Sequence, residues 1–168
     1  HTNNLMPTTP TLDSFMNNGI LFENAWSYPV CTPTRSTIMS GKYGIKTGVS
    51  GVPGNLDTSH VSLFKQLNKL PNDPYAGAVI GKWHISQPSN PNHPTEHGVD
   101  YYTGYISAAP AAYDNWQKTF EGVTQTETDY VTSVITDSAI SWVDRQTKPW
   151  FLWLAHAAPH SPIHVPPS

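Results

Sequence analysis

Apolar and polar positions along the chain fall into blocks, and the blocks with the clearest spacing set the architecture. Over residues 128–146, Val131, Val134, Ile135, Ser138, Ala139, Trp142 and Val143 form one stripe with the charges elsewhere, the pattern of an amphipathic helix. Lys148-Pro149 ends it, and Trp150-Phe151-Leu152-Trp153-Leu154-Ala155 follows as a continuous apolar run of strand length. A run that is apolar throughout predicts a strand buried on both faces, as in a parallel sheet. Ala76-Gly77-Ala78-Val79-Ile80 is a second such run and reads as a buried strand.

Weaker patterns fill in the rest. Residues 1–10 are polar with two prolines and read as loop. Leu12, Phe15 and Met16 share one face of a short helix over 11–19, with Gly19 placed to close it. Residues 20–26, Ile-Leu-Phe-Glu-Asn-Ala-Trp, read as a strand. A helix over 33–40 is expected next, with Thr32 as its cap, Pro33 at the first helical position and Gly41 at the exit. Gly41, Gly44, Gly48, Gly51 and Gly54 then punctuate an irregular stretch. Ser59 can cap another helix carrying Val61, Phe64 and Leu67 and finishing before Pro71. Prolines and two histidines make 86–99 a loop, and 100–126 has too little periodicity for an assignment. Strands alternating with helices indicate an α/β sheet covered on both sides.

Composition narrows the function classes. With 168 residues the chain is one domain's worth of core, and only 12% of them are charged, while 8 are tyrosine and 6 tryptophan. Few charges and many aromatics argue against disorder, and with Lys and Arg totalling 9 at a net charge of −3 they argue against nucleic acid as a partner. No apolar run is long enough to span a bilayer, no signal peptide is visible, and there is no Asn-x-Ser/Thr sequon. A single cysteine excludes an internal disulfide framework and a multi-cysteine zinc site.

That cysteine lies in the most informative stretch, Val30-Cys31-Thr32-Pro33-Thr34-Arg35-Ser36-Thr37-Ile38-Met39-Ser40-Gly41. The helix signals place Cys31 at a helix mouth, where free backbone N–H groups and the dipole favour an anion. Arg35, one turn in, adds a fixed positive charge. Polar chemistry also follows directly on the two apolar strands. Gly81-Lys82-Trp83-His84 ends one, and His156-Ala157-Ala158-Pro159-His160-Ser161-Pro162 ends the other, where α/β sheets bind ligands. Read alone, Lys82 is a solvated lysine at a strand end sooner than a ligand-binding one, while His84 can be a packing histidine beside Trp83 and His160 a loop histidine between prolines. A zinc face of His156, His160 and His164 would need a helix, which Pro159 and Pro162 oppose.

The arginine at i+4 misfits the phosphatase loop that uses a cysteine thiolate directly. Cys31-Thr32-Pro33-Thr34-Arg35 instead resembles the Cys-x-Pro-Ser/Thr-x-Arg signature of the type I sulfatases, members of the alkaline phosphatase superfamily. Ser36 through Tyr43 resembles that family's continuation, a helix ending in Gly-Arg/Lys-Tyr. Pro10-Thr11-Leu12-Asp13 with Gly19-Ile20-Leu21-Phe22-Glu23-Asn24-Ala25 resembles its lead-in, Gly81-Lys82-Trp83-His84 its Gly-Lys-Trp-His element, and Ala158-Pro159-His160-Ser161-Pro162 its Ala-Pro-His-x-Pro segment. These motifs stand in the family order and cover nearly the whole chain, closest to the arylsulfatase and N-acetylgalactosamine-sulfatase branch.

The resemblance implies a mixed, largely parallel central sheet with helices on both faces, of which residues 1–168 would form only the N-terminal part of the catalytic domain. It implies that Cys31 is oxidised to formylglycine by a maturation enzyme and that its hydrate hydrolyses aryl or carbohydrate sulfate esters with a divalent cation, calcium in this family. Arg35 would hold the formylglycine, Lys82 would bind sulfate oxygens, His84 would contact the diol and assist its collapse, and His160 would stand on the sulfate and leaving-group side. A periplasmic or secreted address follows from the same resemblance. The family's paired aspartates and its later Asp-Asn or Asp-His pair have no match here, so of the metal ligands only the modified Cys31 is expected, and the segment alone is expected to turn over little. A phosphonate or phosphodiester hydrolase of the same superfamily, and a non-catalytic module binding sulfated glycans, are the alternatives.

Overall fold

The computed structural model describes residues 8–72 and 74–167; the loop expected over 1–10 therefore lies mostly outside the described residues. Five strands form one sheet: β1 (Ala76–Lys82), β2 (Tyr101–Tyr105), β3 (Trp116–Phe120), β4 (Val123–Glu127) and β5 (Trp150–Ala155), in the order β4-β3-β2-β1-β5. β1 runs parallel to both β2 and β5, with Val79 opposite Tyr102 on one side and Trp153 on the other. β2–β3 and β3–β4 are antiparallel, so the sheet is mixed, its parallel half built from β2 and the two strands, β1 and β5, that lead into the motifs. β2, β3 and β4 all fall in the stretch without periodicity. The β3–β4 hairpin is mostly exposed on β4, which removes the apolar signal that would have marked it.

Six helices complete the described chain: α1 (Pro10–Asn18), α2 (Cys31–Ser40), α3 (Gly44–Thr47), α4 (Leu63–Leu67), α5 (His93–Glu96) and α6 (Val131–Asp144). β1 is apolar on both sides because each side has its own core. Val79 packs with Met39, Leu56, Phe64, Trp83 and Tyr102 under α2 and α4, whereas Ala78 and Ile80 pack with Tyr105, Trp116, Val131, Ile135 and Trp142 under α6. Full burial of a side chain such as Phe64 contributes about 2–3 kcal/mol. The α6 stripe read from spacing is the stripe that is buried: Val131, Ile135, Ala139 and Trp142.

Besides the one-turn helices α3 and α5, which fall in stretches read as irregular and as loop, four sequence readings need correction. Residues 20–26 form no strand, and Ile20, Leu21, Phe22 and Trp26 are exposed. A strand requires a neighbour to take its N–H and C=O groups, and none of the described strands borders this segment. α2 begins at Cys31 with Val30 at the cap, so Thr32 and Pro33 lie inside the first turn. α4 is capped by Ser62, not Ser59; the Ser62 hydroxyl accepts from the Lys65 N–H. β5 is parallel as expected but is the outermost described strand, and Trp150 and Leu154 are exposed rather than buried on both faces. Among the described residues no helix is long and apolar enough to cross a membrane.

Candidate active site at the strand ends

The carboxyl end of β1 is pinned by close backbone approach. Gly81 lies opposite both Gly104 and Ala155 and has φ +108°. A Cβ there would stand 2.0 Å from the Ala155 carbonyl oxygen, and one on Gly104 would stand 1.9 Å from the Gly81 carbonyl oxygen. Only glycine fits either position. Past Lys82 the chain stays bound to the β2 side, with the Trp83 N–H donating to Tyr105 O and the His84 N–H to Ile106 O. His84 itself takes φ +48°, which turns its side chain away from the strand direction.

That turn brings His84 to the mouth of α2. Its Nδ1 lies 3.1 Å from Cys31 Sγ and 3.4 Å from Thr32 Oγ1. In the Nε2–H tautomer of the neutral ring, Nδ1 accepts from both partners. Burial first, then the charges of Lys82, Arg35 and His160, push the His84 imidazole down to about 4, which keeps it neutral at physiological pH. Lys82 is buried at the same strand end; burial lowers its ammonium below the usual lysine range, Cys31 opposes that shift and Arg35 adds to it.

Arg35 joins helix to strand. Its Nε donates to Trp83 O at 2.7 Å, its second terminal nitrogen donates to Lys82 O, and its guanidinium lies 4.6 Å from the Trp153 ring centroid. Burial lowers its pKa to about 10, so it stays charged. The arginine therefore grips the backbone that carries Lys82 and His84 and does not simply face the helix mouth. His160 follows β5 on an exposed turn, its N–H donating to Ala157 O and its own carbonyl accepting from the Tyr113 hydroxyl at 2.8 Å. It is near enough to His84 for its charge to depress that ring.

Cys31, Arg35, Lys82 and His84 are thus gathered at one end of the sheet, and His160 borders them. Spacing gave no warning of three partners: Thr32 on His84, Trp153 under Arg35 and Tyr113 beneath His160. His93 and His97 sit apart and buried, both with Nε2 on Leu56 O, and His93 Nδ1 accepts from the Trp83 indole. Among the described residues no group of three or more His, Cys, Asp or Glu side chains could hold a metal ion.

These features define an α/β protein whose cationic and acid–base groups converge on one helix-mouth cysteine beyond the ends of parallel strands. The Sulfatase family model matches residues 2–168, and the chain belongs to the sulfatase family. It is 31% identical over 179 residues to arylsulfatase J of Mus musculus, covering 94% of this chain and 29% of that protein. It is 27% identical over 196 residues to N-acetylgalactosamine-6-sulfatase of Sus scrofa, covering 94% of this chain and 36% of that one. A solved structure in complex with its substrate D-glucosamine-2-N,6-O-disulfate superposes with a TM-score of 0.74 at 26% identity, over 90% of this chain and 30% of that one. The chain spans about a third of the length of the curated relatives it matches.

Proposed function

We propose that the protein of which this chain is part hydrolyses sulfate esters of aryl or carbohydrate alcohols, with Cys31 converted to formylglycine by a maturation enzyme. The observation that carries the reading is the contact of Cys31 with His84 at the α2 mouth, beside the buried Lys82. The site suits that modification, because a hydroxyl in place of the thiol would meet the same acceptor nitrogen. The hydrated aldehyde supplies one hydroxyl to attack sulfur and a second whose deprotonation releases sulfate.

The chain's own residues do the rest. Neutral His84, in its Nε2–H tautomer, takes a proton at Nδ1 from the side chain at position 31. Lys82 binds sulfate oxygens, and its partial desolvation strengthens that attraction. Arg35 holds the backbone carrying both groups in place and supplies positive charge behind them. His160, on the exposed side, faces the leaving group and can protonate the departing alcohol. The divalent cation implied by the resemblance, calcium, would meet this chain at the modified Cys31 alone; the described residues offer it no further ligand set, and no step here runs through it. A periplasmic or secreted location fits the same reading.

Mass spectrometry of the peptide spanning Cys31, from full-length protein made in its native source, tests the reading. The aldehyde mass is expected, and an intact thiol overturns the mechanism. Turnover of 4-nitrophenyl sulfate should exceed that of an aryl phosphodiester; the reverse order assigns the site to phosphodiester hydrolysis.

A further inference from the structure

His84 stands between two residues that are tied to one and the same peptide unit. Ile85 is tied directly, its carbonyl accepting from the Leu56 N–H at 2.9 Å. Trp83 is tied through His93: the indole Nε1–H donates to His93 Nδ1 at 3.0 Å, and His93 Nε2 lies 2.9 Å from Leu56 O. An indole N–H can only donate, so Nδ1 is the acceptor of this ring and Nε2 carries the proton that goes to Leu56 O. The circuit Trp83–His93–Leu56–Ile85 is thereby matched in every donor and acceptor. Trp83, Leu56 and Ile85 are fully buried and His93 is 1% exposed, so a polar bond left unmade here would be costly.

We propose that His93 is a positioning residue for His84, acting through the Trp83 indole and the Leu56 peptide. By anchoring Trp83 to the unit that also holds Ile85, it fixes the chain on both sides of a histidine whose φ of +48° is unfavourable for a residue with a β-carbon and persists only where neighbours impose it. That turn is what lays Nδ1 3.1 Å from Cys31 Sγ. β2 and the residue after it hold the entry to the turn through the Trp83 and His84 N–H groups, and the Leu56 unit holds its exit. A leucine at position 93 would fill the core without joining Trp83 to Leu56, so packing alone does not call for an imidazole. His97 gives the contrast. Its Nε2 reaches the same Leu56 O at 3.1 Å, but its Nδ1 has no hydrogen-bond partner among the described residues, so it ends at that carbonyl and passes no hydrogen bond on to Trp83. The proposal rests on the sulfate-ester reading for what His84 does and adds what holds it there.

Variants of the full-length protein test it, read by kcat and KM for 4-nitrophenyl sulfate and by hydrogen-exchange mass spectrometry. His93→Asn sets an amide oxygen where Nδ1 stood and leaves Leu56 O without the His93 donor; Trp83→Phe keeps an aromatic ring and removes the indole N–H. Each should lower kcat about tenfold with KM changed less than about twofold, because Arg35 holds the Lys82 carbonyl separately. Peptides containing Leu56 and His84 should exchange about tenfold faster, with those of α6 unchanged. The double variant should lose no more kcat than the worse single, since both substitutions open one circuit. His97→Gln, which acts on the same carbonyl outside the circuit, should leave kcat unchanged. Wild-type kcat in the singles, losses that multiply in the double, an equal loss in His97→Gln, or unchanged exchange reduces His93 to a packing role and overturns the proposal. If Trp83→Phe fails to fold, the comparison of His93→Asn with His97→Gln decides by itself. If the wild-type protein cleaves no sulfate ester and the exchange still changes as stated, the sulfate-ester reading has failed and the brace on His84 stands.

Discussion

His84 Nδ1 lies 3.1 Å from Cys31 Sγ, although 53 positions separate the two residues in the chain. The contact exists because two local devices meet: a helix that starts at the cysteine, and a strand end whose glycine and left-handed histidine turn the imidazole back across the sheet. Chemistry and backbone geometry can be separated here by choice of substitution. Asparagine tolerates the left-handed region, so His84→Asn keeps the turn and removes the proton acceptor. The full-length variant should lose about 10²–10⁴-fold in kcat/KM for 4-nitrophenyl sulfate with little change in Tm. His84→Ala should lose the same activity and, in addition, about 1 kcal/mol of stability from the strained backbone. Wild-type turnover by His84→Asn would remove the histidine from the mechanism.

Arg35 makes a second long-range link, and its geometry distinguishes arginine from lysine. A planar guanidinium reaches two successive carbonyls and stacks on Trp153 at once; an ammonium cannot. Arg35→Lys therefore retains the charge but leaves a buried carbonyl without its donor. A loss of about 1–3 kcal/mol, measured as a lower urea midpoint, is expected. Activity should fall with it, since the gripped carbonyls belong to Lys82 and Trp83, the backbone that joins Lys82 to His84.

The glycine step at the end of β1 makes a harsher prediction. Gly81→Ala would put a methyl group 2.0 Å from a backbone oxygen that belongs to the neighbouring strand, at a φ of +108°. No side-chain adjustment relieves a clash with backbone, so β1 and β5 must separate locally. A loss of 3 kcal/mol or more is expected, approximately the cost of an unfavourable buried backbone site plus lost pairing. Soluble yield and the urea midpoint read it; a variant with native stability would mean the two strands lie farther apart than described.

What the sequence made legible followed from short-range rules. The α6 stripe, the two apolar strands and the glycine exit of α2 each depend on neighbours within a turn or along one strand, and each lies where the spacing put it. The motif residues Cys31, Arg35, Lys82 and His84 were readable as a set only through resemblance to a family; spacing alone left Lys82 and His84 open between solvated, packing and catalytic roles. Residues 20–26 show the limit from the other side. Their composition suits a strand, but strand formation is decided by a partner, which no local pattern encodes. Thr32, Trp153 and Tyr113 escaped for the same reason, because their roles come from residues 52, 118 and 47 positions away.

The buried pair His93 and His97 sets the last expectation, for stability against pH. Both rings direct Nε2 at Leu56 O, their centroids 4.5 Å apart, and His97 Nδ1 has no hydrogen-bond partner. Burial holds both below the ordinary histidine range, His97 at about 4; Lys65 lowers both further, while Glu96 and the Leu56 carbonyl oppose. Between about 4 and 6.5 the unfolded chain binds protons that the folded chain does not, so stability rises with pH across that window. The contribution is complete above the unfolded value near 6.5 and is lost as the pH falls towards 4, by at most about 3 kcal/mol for His97. His97→Gln can keep a donor for Leu56 O and removes the titration. Urea midpoints of the full-length protein taken from pH 7 down to pH 4.5 should therefore fall less steeply in the variant, though still downward, because His84 and His93 continue to titrate. Identical slopes in the two proteins would mean that His97 takes up its proton in the folded state as readily as in the unfolded one.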